Sequence, residues 1–533
     1  MNNLKIKIMK KIFIIISITI GLISCVKLTE VPKSSLTTAN FPLTNNDAIA
    51  APNGVYVQNY ILSSTLDYMS ELNTDITASG EDSRSSDGPA LSTLAYDENL
   101  STIAYLWGVL YQGIGDANLN IDNLTASTTI TDPLRTRLIN ESKFLRAVYY
   151  FYTVQFWGEV PLVLHYGSTA PIKRDSLNKV YSQIVKDLKD ATGLPLSYTE
   201  STDQGRPTKG SAYGLLSKVY LTWAQVNGEN LQNNPKLQNS VAYADSVISL
   251  GTYILQPDFL ANWSTEKRYG PEILFEADHL ANQFAPDDGF NHLCHCAFVT
   301  GFSQETPHLI ITDTIQYFDS WDGRDQRRAG TYAKYLYNPT TNSVFTFNYP
   351  RYRKYIDTTN ILTSATTRQI DRTYLRYAEV LLIKAEASNE LNQGPNSDAY
   401  SAVNQIRERA YGPYITAHSL PANAFDYSGL SYTQFRDSIR KERLHELTYE
   451  QIRWFDLVRW RILGTTITTA AANTLTPAGE NPPNAQLVTK GKNYNVRYYR
   501  YPIPQYEINI TPTLWQNYGY NGSTSHPYDA TYK

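Results

Sequence analysis

What this chain has little of narrows its role first. Cysteine is scarce, at 3 in 533 residues; no disulfide framework braces the fold, and the body must rely on a hydrophobic core. Charge is scarce as well, at 18% of residues with a formal net charge of −3. That balance argues against nucleic acid or a polybasic grip on a membrane surface. The apolar run from Ile12 to Ile23 is too short for a comfortable bilayer span. Catalytic signatures are missing too. His445-Glu446 begins like a zinc-protease helix, but Tyr449 stands where the second histidine belongs. The stretch Gly210 to Lys218 has its glycines and lysine in the wrong order for a phosphate loop, and no serine elbow stands out.

What is present begins with an address. Lys5, Lys7, Lys10 and Lys11 precede the apolar run, and Leu22-Ile23-Ser24-Cys25 ends it with small residues before a cysteine. The order reads as a signal peptide, residues 1–24, ending like a bacterial lipobox that leaves Cys25 to carry lipid. Losing four leader lysines takes the net charge from −3 to −7. Residues 25–46 then read as the lipidated cysteine and its tether, so the body is anchored to a membrane and does not span it.

From 47 onward, three- and four-residue apolar spacing predicts a helical frame over 47–250 and again over 372–460. Its organising stretch is Arg372 to Leu391, where Leu375, Ala378, Leu382 and Ala385 form one stripe. Ala399, Val403, Ile406 and Ala410 repeat the period beyond the turn Asn392-Gln393-Gly394-Pro395. Small residues on such a seam predict close helix pairs of the tetratricopeptide kind, which display other groups and perform no chemistry. Residues 251–371, rich in Pro, Gly, Asn and aromatics, read as an irregular lobe, and 466–491 as a polar insertion. Asp67 to Asn99 reads as loop. No linker divides the chain, so one body is expected over 47–533.

The densest charge lies between Phe435 and Trp460. Glu442, Arg443, Glu446, Glu450, Arg453 and Asp456 predict a scaffold ion network, with Arg443–Glu446 and Glu450–Arg453 pairing at three-residue spacing on a helix. A glycosidase would need one carboxyl held protonated; here each has an arginine nearby, which favours the ionised form. Asn291 to Cys296 is the one oddity. His292, Cys294 and Cys296 share a face on an extended strand, which leaves a zinc site, a bent disulfide or two buried thiols open, burial being the default and no metal being assigned.

Tyr outnumbers Phe by 41 to 17, which supplies flat amphipathic rings for a polar ligand with apolar faces. Tyr68, Asp75, Arg84 and Tyr96 in the early loop, and Phe290, Tyr317 and Trp321 in the lobe, are the candidate ligand contacts, although Asp319, Asp322, Arg324 and Arg327 around Trp321 also suit a structural turn. No cofactor is implied.

Several motifs in order carry a family likeness: Trp107, Tyr111, Ala117 and Asn118; Arg146-Ala147 with Tyr150-Phe151; Arg376-Tyr377-Ala378-Glu379-Val380; Val403-Asn404-Gln405-Ile406-Arg407; Glu442-Arg443 through Arg459; and Tyr501-Pro502-Ile503-Pro504 with Glu507. Together with the lipobox they resemble the SusD/RagB family of nutrient-binding lipoproteins. The resemblance implies a mainly α, SusD-like helical scaffold with a variable lobe, on an outer membrane of the Bacteroidetes type. It also implies a SusC-like TonB-dependent transporter as partner, an oligosaccharide or in some branches a peptide as ligand, and no catalysis. Relatives bind glycans with residues from the two candidate regions, and Asp75, Arg84 and Tyr96 lie at roughly matching places. A surface hydrolase, or a purely structural partner of another membrane protein, are the competing classes.

Overall fold

The computed structural model describes residues 41–42, 44–79, 87–226, 228–264, 267–278, 310–312, 315–338, 342–355, 370–474 and 482–523. The leader, Cys25, Arg84, Phe290 and the Cys294–Cys296 pair lie outside the described residues.

Helices pack on one another in succession. Ser101–Ala126 lies against Leu134–Trp157, that helix against Leu177–Ala191, then Lys209–Val226, then Pro235–Ser249. The helix Tyr377–Asn392 packs on Pro235–Ser249 and also on Ser397–Ala417 and Tyr432–Leu447, so it joins the two halves of the frame. One apolar core runs from Val55 to Tyr520. The local signals act as expected. Ser176 accepts from the Lys179 amide at the start of its helix, and Asn396 caps Ser397–Ala417 by accepting from the Ala399 amide. Gln393 closes Tyr377–Asn392 in the left-handed conformation. Gly158 ends Leu134–Trp157 at φ +78°, with the Arg500 guanidinium where a Cβ would stand.

Three expectations change. The stripe from Arg372 does not begin as helix: Arg372–Arg376 is a fully buried strand paired antiparallel with Ile273–Ala277, and the helix starts at Tyr377. Here tertiary pairing overrides a helical period. The described part of the stretch after Asp67 is not loop throughout. Asn53–Leu66 continues into a buried π-helical turn Asp67–Glu71, followed by the strand Thr77–Ser79 and the helix Asp87–Ser92. The Asp87 carboxylate accepts from the Thr102 amide and from the Ser101 and Thr102 hydroxyls, at 2.6–2.8 Å, at the start of Ser101–Ala126. The polar insertion contains two helices that pack together, Leu463–Ala472 and Pro482–Asn493.

The described strands form three two-stranded antiparallel ladders: Thr77–Ser79 with Ile310–Thr312, Ile273–Ala277 with Arg372–Arg376, and Tyr332–Asn338 with Ser343–Tyr352. The first of these ties the early segment, which carries Asp75, to the lobe.

Candidate functional site

Two polar regions meet at the end of the helix Tyr432–Leu447, and they differ in kind. The first is a buried ion junction. Arg376 reaches Glu272 and Glu446 at 2.6 Å and Glu450 at 2.7 Å, and Lys354 reaches Glu450 at 2.6 Å. Arg327 binds Asp325 and Glu446 at 2.7 and 2.9 Å, Arg407 binds Glu442 at 3.0 Å, and Arg409 also holds Glu446. A second node joins Arg443 and Arg459 to Asp456 at 2.8 Å. Glu442, Arg443, Glu446, Glu450 and Asp456 take part in these pairs, whereas Arg453 pairs elsewhere, with Asp75. The pairing expected within the helix is absent: Arg443, on the same helix as Glu446, is taken by Asp456 and Glu379, and Glu450 is parted from Arg453 because the helix stops at Leu447 and the chain turns through Tyr449 and Gln451 at φ +63° and +64° before Arg453–Arg459. Partners come from other elements instead.

That arrangement fixes the charge state. Burial alone would raise the Glu446 carboxyl, but Arg409, Arg376 and Arg327 hold it well below the ordinary range. Glu450 is likewise lowered against burial, by Arg376 and Lys354. Lys354 itself is pushed down to about 8 by burial and by Arg376, with Glu450 opposing. A carboxyl kept ionised in this way cannot donate the proton a glycosidase needs. Among the described residues no group of three His, Cys, Asp or Glu side chains is arranged to hold a metal.

The second region is aromatic. Tyr317, half-buried, leaves the short helix Ile315–Asp319 and stands edge-on to Trp321, with ring centroids 5.9 Å apart at 81°. Trp321 stacks on His445 at 4.2 Å. The Tyr317 hydroxyl lies 3.4 Å from Thr448 Oγ1, just past the helix end. Next along the chain, Arg453 grips both oxygens of Asp75 at 2.8 and 2.9 Å. The structure therefore brings Tyr317, Trp321 and Asp75 to one edge of the helix break. The turn network expected around Trp321 exists in part: Arg324 binds Asp322 and Arg327 binds Asp325.

Tyr68 and Tyr96 are placed behind this edge. Tyr68 sits in the π-helical turn at 7% exposure, and Tyr96 at 2% stacks on Tyr501 at 5.2 Å and meets Tyr498 edge-on. Tyr501 in turn donates to Met69 O and accepts from Asn73, both at 2.6 Å, so the Tyr96 cluster braces the turn that leads to Asp75. In this conformation neither tyrosine offers an open ring face, and Trp321, at 4% exposure, is enclosed as well, so the half-buried Tyr317 is the candidate ring nearest the surface here.

Sequence reasoning missed the supports. Gln486 mimics a neighbouring strand: its amide accepts from the Ser79 N–H at 3.2 Å and donates to Ser79 O at 2.9 Å. Lys490, fully buried, donates to Thr74 O and, at 2.8 Å, to Thr77 O. Both belong to Pro482–Asn493, whose prolines in the first turn were a readable helix start. Glu71 is the other support. It accepts from the Gln451 amide at 2.7 Å and so holds the left-handed break. Its second oxygen is buried without a hydrogen-bond partner among the described residues, and burial, then Asp67, pushes its carboxyl up to about 8.

Comparison with known proteins agrees with this architecture. The family model described as "SusD family" matches residues 199–520, and "Starch-binding associating with outer membrane" matches 43–221. SusD-like protein P2 of Formosa agariphila is 28% identical over 484 residues, covering 84% of this chain and 90% of its own. A SusD homologue from Bacteroides thetaiotaomicron superposes with a TM-score of 0.76 at 25% identity, covering 90% of this chain and 98% of its own. A laminarin-binding SusD-like protein shares the fold at TM-score 0.68 and 22% identity, covering 90% of this chain and all of its own. The first model spans more than half the sequence, and with it the chain belongs to the SusD family.

Proposed function

We propose that this protein is a lipid-anchored lipoprotein of the outer membrane, facing outward, that binds an oligosaccharide and delivers it to a partner TonB-dependent transporter without chemical turnover. The observation that carries the binding reading is the aromatic edge, where Tyr317 and Trp321 stand beside the hydroxyl of Thr448 and the Asp75–Arg453 pair. The half-buried Tyr317, backed by the enclosed Trp321, is the ring placed to take the C–H face of a sugar while the polar groups take hydroxyls. Support comes from the family, from the outer-membrane association named in its second model, and from relatives described as binding laminarin or surface glycans. The lipobox-like ending at Cys25 supports the anchor.

The arginines near the lobe favour a neutral ligand. Arg327 is enclosed in the ion junction and Arg324 is bound to Asp322, so neither leaves a strong field for a sulfated or uronate-rich polymer. Calorimetric titration against a glycan and peptide panel, with product analysis after long incubation, tests the reading. Binding of a glycan without product is expected; released product, or binding of peptides alone, refutes it. Replacing Cys25 by serine should release or misprocess the protein on cell fractionation.

A further inference from the structure

At the end of the helix Tyr432–Leu447 two rings lie on one another with polar atoms unmatched. Trp321 and His445 stack with planes 26° from parallel. Both are nearly enclosed, at 4% and 8% exposure. Among the described residues the Trp321 Nε1 makes no well-formed hydrogen bond, although the Tyr317 hydroxyl lies near enough to interact with it, and neither His445 ring nitrogen has a partner. On the same helix Arg443 and Glu446 each hold several partners. An unmade hydrogen bond on a buried donor costs about 1–3 kcal/mol, and folded proteins keep few such groups unless something fills them.

The state of the imidazole narrows what that something is. Burial, and then the Arg327 charge, push His445 down to about 3, with Glu442 opposing. At neutral pH the ring is therefore uncharged, with one N–H donor and one lone-pair acceptor. It offers nothing to an anion as a cation would, and no set of metal-ligating side chains gathers around it among the described residues. A neutral donor–acceptor ring beside an unmatched indole N–H suits a group that both gives and takes a hydrogen bond. A hydroxyl is such a group.

We propose that His445 is a ligand contact, exchanging one hydrogen bond with a hydroxyl of a neutral sugar unit seated at the edge of the Trp321–His445 stack. The proposal rests on the glycan-binding reading above and adds a residue to it. Its place in the sequence hid it: beside Glu446 it looked only like the start of a metalloprotease helix that the next turn does not complete.

The test compares the wild type with His445→Phe on an array of immobilised neutral glycans, then titrates whichever glycan is retained. Phenylalanine keeps a flat, somewhat larger ring under Trp321 and removes the nitrogens. At least tenfold weaker binding is expected, with melting curves on the same samples showing an intact fold and His445→Gln recovering part of the loss. A crystal structure of the wild-type protein soaked with the retained glycan serves if the variant fails to fold. It should place a ligand oxygen about 2.7–3.2 Å from a His445 nitrogen. Equal affinity of the Phe variant, or nitrogens still unpartnered in the complex, overturns this inference alone. If the wild type retains no glycan, the proposed function itself falls and the inference with it.

Discussion

The ion junction and the aromatic edge lie on either side of one helix end, yet they use polar groups in opposite ways. Around Glu446 three arginines converge on one carboxylate, each from a different element. At the edge, among the described residues, neither the Trp321 Nε1 nor the His445 nitrogens make a well-formed hydrogen bond, and the Tyr317–Thr448 contact is long at 3.4 Å. The junction is a convergence of buried charges, in which removing one member strands the others, although among the described residues Arg409 Nε and Arg443 Nη1 lack hydrogen-bond partners there as well. What sets the edge apart is neutral rings and hydroxyls in place of paired charges, the groups that the proposed sugar ligand would meet.

The largest effect expected from breaking the contrast is on the scaffold side. Glu446→Ala leaves Arg327, Arg376 and Arg409 short of a buried partner, a loss of about 3–5 kcal/mol. Thermal or denaturant melts should show it directly. Glu450→Ala should behave alike, stranding Arg376 and Lys354, and in neither variant should ligand affinity fall while the melting curve stays put. The Asp75–Arg453 pair stands between the regions, at about one-tenth exposure on each side. Asp75→Asn keeps the shape and weakens a charge-assisted bidentate contact, costing about 1.5–3 kcal/mol. It should also loosen the turn that Lys490 holds, read as faster amide exchange at Thr77 and Ser79.

Much of the frame was legible because its causes are local. Ser176, Asn396, Gly158 and the Gln393 turn each act within a few residues of where they stand, and the alanine-rich seam of Tyr377–Asn392 shows its period in the sequence. Of the ion network, the sequence showed Arg443 and the carboxylates from Glu442 to Asp456 but not the partners Arg327, Lys354, Arg376 and Arg409, which come from other elements. Which arginine meets which carboxylate depends on a helix break at Tyr449 and Gln451, residues that do not advertise positive φ as glycine does. Of the candidate contacts, Tyr317 lies half-buried at the edge, while Trp321, Tyr68 and Tyr96 are enclosed. Composition reveals an excess of rings but not which of them face outward. Gln486 and Lys490 act across more than four hundred residues, on Ser79 and Thr77, and no local signal announces that.

Glu71 supplies a smaller test on the scaffold side, and its sign is definite. Its folded-state carboxyl is raised from 4.5 to about 8, chiefly by burial and then by Asp67. The folded protein therefore keeps a proton that the unfolded chain gives up, and this contribution is full below about pH 4.5 and is lost as pH rises toward 8. Glu71→Gln copies the protonated form and should raise the melting temperature at pH 8 but not at pH 4. The gain is on the order of 1 kcal/mol, the worth of one pKa unit, because the new amide nitrogen inherits the unpartnered position of Oε2. Melts across pH 4–8 that run parallel for the two proteins would show Glu71 to be ionised in the fold.

The smallest expected change in stability comes from Tyr317→Phe, and its value lies in being small. The hydroxyl's contact with Thr448 Oγ1 is long at 3.4 Å, near the limit of a hydrogen bond, and Trp321 also interacts with it, while the ring keeps its edge-on packing against Trp321 and Tyr332. Removing the oxygen should therefore shift stability by no more than about 0.5–1.5 kcal/mol, the net worth of an ordinary hydrogen bond. If the aromatic edge is the binding face, the same oxygen is among the groups that meet sugar hydroxyls. Its loss should then weaken the retained glycan about tenfold, or about 1.4 kcal/mol. A carboxylate of the ion junction, removed, gives the reverse pattern: a large fall in melting temperature with no separate loss of affinity. Melting curves and titrations of Tyr317→Phe and Glu450→Ala side by side thus read the two regions against each other. Should Tyr317→Phe bind as tightly as the wild type while Glu450→Ala loses affinity at an unshifted melting point, scaffold and site have been assigned the wrong way round.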